Sequence, residues 1–404
     1  MRLRRCGPSW SAVLLLPLCV ASCDDPPAPP ARFRPREPAP AAAAPAPAAA
    51  PAPVDTSEEA TATAAAQADP DAATPAAQAL MPPQQPFGVA FPIPDPLPSE
   101  SLPRALASPG PGLQPGPAPL QGWLGGTGSA DGQFTYPRAI TTAPEGTFYV
   151  VDKTGRIQKF DPDGRLLAVA RTPEIGQGMP TELSVAPSGD LIVAVSHFCR
   201  VLIYWPELRL RRAFGVPGTA PGQLCLLTSA AQAPDGRFFT TDYGDYVARV
   251  QVWAEDGTHL GAAGTFGTGP GELRRPMSLC LDRERDAVYV ADAVNHRIAV
   301  FSRDLTWRGA LAGPDVLRYP YSVVQDERGR LWVAEFGGHR VSVLDRDTGA
   351  ILGRWGQPGR ALGALSNPWG VDLGPGERVW VLDSGNDRVY ALPRAAVLGA
   401  GGNG

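Results

Sequence analysis

The chain has 404 residues, with 36 Lys and Arg against 40 Asp and Glu and a formal net charge of −4. Its 46 Pro and 45 Gly are unevenly spread, which excludes a uniform globular composition and points to one folded region behind an atypical leader. With no excess of basic charge, the chain lacks the electrostatic footprint of a nucleic-acid binder.

The first residues, Met1, Arg2, Leu3, Arg4 and Arg5, form a basic head, and an apolar body follows around Leu14, Leu15, Leu16 and Leu18. That body is about ten residues long, short of the roughly 20 that a spanning helix needs. Residues 1–22 therefore read as a secretory signal. Val20, Ala21, Ser22 and Cys23 resemble the bacterial lipobox, which implies that Cys23 carries lipid and becomes the mature N-terminus. The expected location is the cell envelope, lipid-anchored and facing the periplasm or the exterior, with inner and outer membrane both open.

Cleavage after residue 22 removes Arg2, Arg4 and Arg5 and leaves 33 basic against 40 acidic side chains. Ten of those acids and four of those bases fall in residues 23–117, so residues 118–404 are near neutral at −1. Residues 23–117 are dominated by Pro and Ala and hold too few large apolar side chains to offset the entropy of ordering. They read as a disordered tether with extended polyproline character. Pro86 to Ile93, which includes Phe87 and Phe91, departs from that texture and reads as a docking or recognition segment.

Beyond Gly122 the texture changes to short β-branched and aromatic runs separated by Gly, Asp and Pro, the pattern of strands joined by tight turns. One unit repeats. Its clearest copy runs from Gly267 through Leu273 to Arg275, Pro276 and Met277, then through Val288 to Asp292, and then through Asn295, His296 and Arg297 to Phe301. A strand ending in an acid recurs at Asp152, Asp242, Glu335 and Asp383, each followed by an Arg. The Arg residues that open the next strands are Arg156, Arg200, Arg249, Arg297, Arg340 and Arg388, spaced 44, 49, 48, 43 and 48 residues apart. Such a period is that of propeller blades, since one small sheet cannot bury both faces without neighbours.

These units resemble NHL repeats, with Asn295 and His296 carrying the hallmark, and the resemblance spans residues 120–392. It implies an all-β, six-bladed β-propeller occupying residues 118–404. Blade two departs from the pattern, with Val195 in place of the acid. The last unit lacks an outer strand, and Leu120 to Gly125, around Trp123, is expected to supply it and close the ring. The acid and Arg of each unit read as an architectural ion pair.

Propellers of this kind usually place ligands over the channel, beside the openings of the innermost strands. The residues at those openings are Arg138, Thr181, Ser229, Met277, Tyr321 and Trp369, with Tyr136, Tyr319 and Asn367 just before them. Tyr, Trp, Met and Arg together have the composition of an interface. Arg138, Met277, Tyr321, Trp369, Tyr319 and Asn367 are therefore the expected ligand-binding residues, for a protein, peptide or glycan. No catalytic residue, metal or cofactor is assigned, and a monomer is expected.

The alternative is an enzyme on the same face. Peptidyl-hydroxyglycine lyases, which share the architecture, imply zinc held by His, and the chain offers His197, His259, His296 and His339. Gluconolactonase relatives imply calcium or a base held by Glu, Asn and Asp, for which Glu182, Asn367 and Asp372 are the candidates. Paired Cys-x-x-Cys spacings of a ligase module do not occur. Of the six Cys, Cys6 and Cys19 leave with the signal. Cys199 and Cys225, on one face of adjacent blades, are expected to form a disulfide, with Cys280 a buried thiol.

Overall fold

The computed structural model describes residues 102–399 apart from Asp245. The signal segment, Cys23, residues 23–101 of the tether and the segment from Pro86 to Ile93 all lie outside the described residues.

Six sheets of four antiparallel strands follow one another around a ring, each running from an innermost to an outermost strand. The innermost strands are Pro137–Thr142, Pro180–Val185, Leu226–Gln232, Pro276–Leu281, Pro320–Gln325 and Gly370–Gly374. The second strands, such as Phe148–Asp152, Val288–Asp292 and Leu331–Glu335, are buried along their whole length. They face a neighbouring sheet on both sides, and so read as unbroken apolar runs rather than alternating ones. The outermost strands His259–Ala263, Trp307–Leu311 and Ile351–Trp355 alternate between half-buried and exposed residues, because only one face of each is covered.

The core lies between sheets. Tyr149, Val151 and Ile157 of blade one pack with Leu191, Val193 and Leu202 of blade two. At the junction of blades six and one, Trp380 meets Phe148 at 4.2 Å, and Phe148 stacks on Phe160 at 5.0 Å. Serine hydroxyls tie the innermost strands together. The Ser229, Ser278 and Ser322 hydroxyls accept the backbone N–H groups of Leu279, Val323 and Val371, each on the next blade.

Gly122–Gly125 pairs antiparallel with Arg388–Pro393 and completes blade six. The expected closure by the segment around Trp123 is therefore present. The folded body also begins earlier than residue 118. Arg104–Ala105 adds a fifth strand to blade one, the Leu113 N–H donates to the Asp163 carbonyl, and Gln114 bridges to Trp123. Part of the stretch read as tether is thus strapped to the propeller.

The repeated acid and Arg pair as expected. Asp152–Arg156, Asp242–Arg249, Asp292–Arg297, Glu335–Arg340 and Asp383–Arg388 meet at 2.7 to 2.9 Å, with every carboxylate buried. The clamp reaches further than the turn. Asp292 also accepts the Arg274 N–H at 2.6 Å, and Arg297 donates to the Glu272 carbonyl at 2.6 Å. Each pair therefore pins the loop that leads into its own innermost strand.

Candidate functional site

In five of the six blades the opening of the innermost strand is irregular in the same way. The ladder register shifts at Arg138, Thr181, Thr228 and Tyr321, and again across Met277 and Ser278. A bulge re-aims the side chain it carries, and in blades two and three it turns the Thr181 and Thr228 hydroxyls onto the Leu227 and Pro276 carbonyls of the next blade. In blade three the bulged residue is Thr228, one position before the Ser229 read from the sequence.

The residues just before these strands hold left-handed backbone without being glycine: Tyr136, Arg275, Tyr319 and Asn367 have φ of 50, 58, 49 and 48°. This conformation is costly for large side chains and persists only where surroundings impose it. In three blades the imposing group is visible. His296 Nδ1 accepts the Tyr319 N–H at 2.9 Å, His339 Nδ1 accepts the Asn367 N–H at 3.0 Å, and Asp387 accepts the Tyr136 N–H at 2.6 Å. Each acceptor sits in the turn of the preceding blade, so these three junctions position the next blade's opening residue. Burial holds the His296 imidazole below its usual pKa, which keeps that acceptor nitrogen unprotonated.

Over the channel these side chains converge. Tyr321 stacks on Phe336 at 4.2 Å and meets the edge of Trp369 at 5.0 Å, while Tyr136 meets Trp369 at 5.8 Å. Arg138 lies over Trp369 at 5.0 Å, and Arg275 lies 5.6 Å from both Tyr243 and Tyr321. Burial lowers the Arg138 pKa below its usual value, and the Arg275 charge across the channel adds to that.

The structure thus brings Arg138, Met277, Tyr321 and Trp369 to one place, with Tyr319 and Asn367 on its rim. It corrects their expected exposure. Met277, Tyr321 and Trp369 are buried at 3, 4 and 8% and form part of a hydrophobic cluster, because they fill the channel against one another. Only Tyr319, at 41%, is well exposed. Arg275, Tyr243 and Phe336 were not among the expected ligand-binding residues. Arg275 occupies the same pre-proline position as Tyr136 and Tyr319, and that shared position was the available signal. Around this centre, Tyr246 is 87% exposed and meets Phe266 at 6.3 Å.

The expected disulfide is not formed. Cys199 and Cys225 are free thiols, and Cys199 Sγ donates to the Cys225 carbonyl at 2.6 Å. The positions are adjacent as expected, and the Cys225 sulfur lies against Gly244. Cys280 is also a free thiol, half-buried along the channel rather than fully enclosed, and burial pushes its pKa up to about 12.

Beyond the far ends of the innermost strands lies a cavity of about 480 Å³, lined by Glu182, Ser278, Cys280, Arg283, Gln325 and Asp372 among others. Burial pushes Asp372 up to about 6 and Glu182 well above the usual carboxylate range. Asn367 does not join them. Its amide donates to the Phe336 carbonyl at the opposite end of the channel. The set of Glu182, Asn367 and Asp372 therefore does not converge as calcium ligands. Among the described residues, no three His, Cys, Asp or Glu side chains group to hold a metal. His259 starts the outermost strand of blade three, against Trp253.

Residues 136–365 match the SMP-30/Gluconolactonase/LRE-like region. The chain belongs to that family. This SMP-30/Gluconolactonase/LRE-like propeller is also an NHL-repeat protein. It is 34% identical over 149 residues to NHL repeat-containing protein 3 of Mus musculus, covering 35% of this chain and 40% of that one. The human relative of the same name is 35% identical over 122 residues, covering 28% of this chain and 35% of that one. The chain therefore spans less than half the length of these relatives. Among solved structures, a Xanthomonas campestris gluconolactonase aligns with a TM-score of 0.52 and 16% identity, over 72% of this chain and 99% of that one. A luciferin-regenerating enzyme aligns with a TM-score of 0.50 and 15% identity, over 66% of this chain and 94% of that one. At these identities the structures show the shared propeller fold of the family and no more.

Proposed function

We propose that the chain is an extracytoplasmic binding propeller. It is held at a membrane by lipid on Cys23, works as a monomer, and presents the opening face of its channel to a protein, peptide or glycan. The observation that supports this is the left-handed backbone at Tyr136, Arg275, Tyr319 and Asn367, which recurs just before the innermost strands of four of the six blades. Strain of this kind clusters where a surface is organised for a ligand. Exposed Tyr246, Phe266 and Tyr319 surround the buried centre, the arrangement of aromatic anchors at interfaces.

Because Tyr321 and Trp369 are core residues, the test belongs on the rim. A photo-crosslinking residue at Tyr246 in the full chain should capture a partner. Tyr319→Ala and Phe266→Ala should each reduce that capture at least fivefold without changing Tm by more than about 2 °C. Undiminished capture in both variants rejects this face.

A second reading, a lactonase-like hydrolase or lyase, is favoured by Glu182 and Asp372, two carboxyls whose pKa values burial raises beside one cavity. Hydrolysis of a panel of lactones that is lost in Asp372→Asn would favour it over the binding reading.

A further inference from the structure

We propose that Arg138 and Arg275 form a seat for one oxyanion, a carboxylate, phosphate or sulfate group carried by the ligand. This rests on the opening face being the binding surface. The two residues come from blades one and four, which stand opposite each other in a ring of six. Both guanidinium groups lie on aromatic faces, Arg138 on Trp369 at 5.0 Å and Arg275 between Tyr243 and Tyr321 at 5.6 Å from each. The Nε atom of each is buried and has no hydrogen-bond partner among the described residues.

The contrast is with five of the six arginines of the repeat. Arg156, Arg249, Arg297, Arg340 and Arg388, which recur at equivalent positions, each meet a buried carboxylate. Among the described residues, neither Arg138 nor Arg275 meets one. Both guanidinium groups are half-buried and repel one another, and an anion between them would offset that repulsion. The surroundings suit it: the Tyr136, Tyr243 and Tyr321 phenols lie close enough to act on the Arg138 charge, and none of their hydroxyls is hydrogen-bonded among the described residues. Among the described residues, the Asp387 carboxylate at this opening engages the Tyr136 N–H and pairs with neither arginine. A guanidinium presents its N–H groups as a planar fork matched to two oxygens of one anion. Backbone irregularity at both residues, a bulge at Arg138 and φ of 58° at Arg275, points the same way.

The test uses the full chain and the sodium salts of acetate, phosphate and sulfate against sodium chloride at matched ionic strength, with Tm and calorimetric heat as readouts. At least one of the three should raise Tm saturably in the millimolar range, beyond the chloride effect. Acetate alone would identify the carboxylate class, and phosphate or sulfate the tetrahedral class. R138Q and R275Q should each weaken that response at least tenfold while leaving the salt-free Tm unchanged or higher, since each removes one of two repelling charges. A merely structural role predicts the reverse, a lower salt-free Tm with the anion response intact, and would overturn the proposal. So would a wild-type response to all three salts equal to that of chloride. Arg275→Lys keeps the charge and the core contacts, so it reports on the planar fork if a glutamine variant does not fold. It should weaken the response, and an undiminished response counts against the seat. Loss of the anion response with partner capture at Tyr246 intact separates failure of this seat from failure of the binding face.

Discussion

Trp123 stands directly opposite Tyr390 in the antiparallel ladder that joins the start of the propeller to its last blade. Its indole N–H donates to the Pro115 carbonyl at 3.2 Å, so the closing strand is itself held by the strap that precedes it. The ring is therefore fastened twice, once by a strand and once by the segment lying over it.

Two truncations separate these fastenings. A chain beginning at Gly126 leaves the Arg388–Pro393 edge unpaired, and should lose on the order of 10 °C in Tm and aggregate on concentration. A chain beginning at Ala118 keeps the closing strand and loses only the strap, and should fall by about a third as much. Equal losses in calorimetric scans would show that the strap, not the strand, sets closure.

The clamp in blade four makes a sharper stability prediction. Asp292 is wholly buried and engages Arg297, Asn295 and the Arg274 N–H together. Asp292→Ala strands those donors and should cost about 3 to 5 kcal/mol in urea unfolding. A loss under about 1 kcal/mol would mean that water replaces the carboxylate freely.

Trp369 and Tyr319 should behave oppositely, although both lie at the channel opening. Trp369→Ala empties a site packed by Tyr136, Tyr321 and Phe336 and should destabilise by about 3 to 5 kcal/mol. Tyr319→Ala removes an exposed ring and should stay within about 1 kcal/mol. Chemical denaturation of the two variants side by side decides the matter.

The acid in the cavity gives a pH dependence. Asp372 rises from 3.8 to about 6 on folding, chiefly through burial. An acid whose folded pKa lies above its unfolded one binds protons more tightly when folded, so its contribution to stability is greatest in acid and falls as pH rises from about 4 through about 6. Asp372→Asn should therefore be more stable than wild type at pH 7.5, and the advantage should vanish near pH 4. Unfolding midpoints across that range measure it. A pH-independent difference would show that Asp372 ionises at its ordinary value.

The strands and their repeat were legible because they depend on short-range pattern. Runs such as Phe148 to Asp152 must be apolar nearly throughout to lie between two sheets, and each acid recurs four to seven residues before its Arg. The missing outer strand of the last unit likewise announced that the N-terminal segment would supply it. The six opening positions could be named, though in blade three the bulge falls at Thr228 and not at Ser229.

What the sequence by itself determined was the number of blades, their clamps and the segment that closes the ring, all consequences of residues near one another along the chain. Tertiary structure alone decided which opening residues are dry and which are wet, because Met277, Tyr321 and Trp369 bury one another only when blades four, five and six converge on the channel. It also brought Arg138 within the influence of Arg275 and left Cys199 and Cys225 adjacent as free thiols. Those relations are set by side-chain direction across a closed ring, which no local pattern encodes.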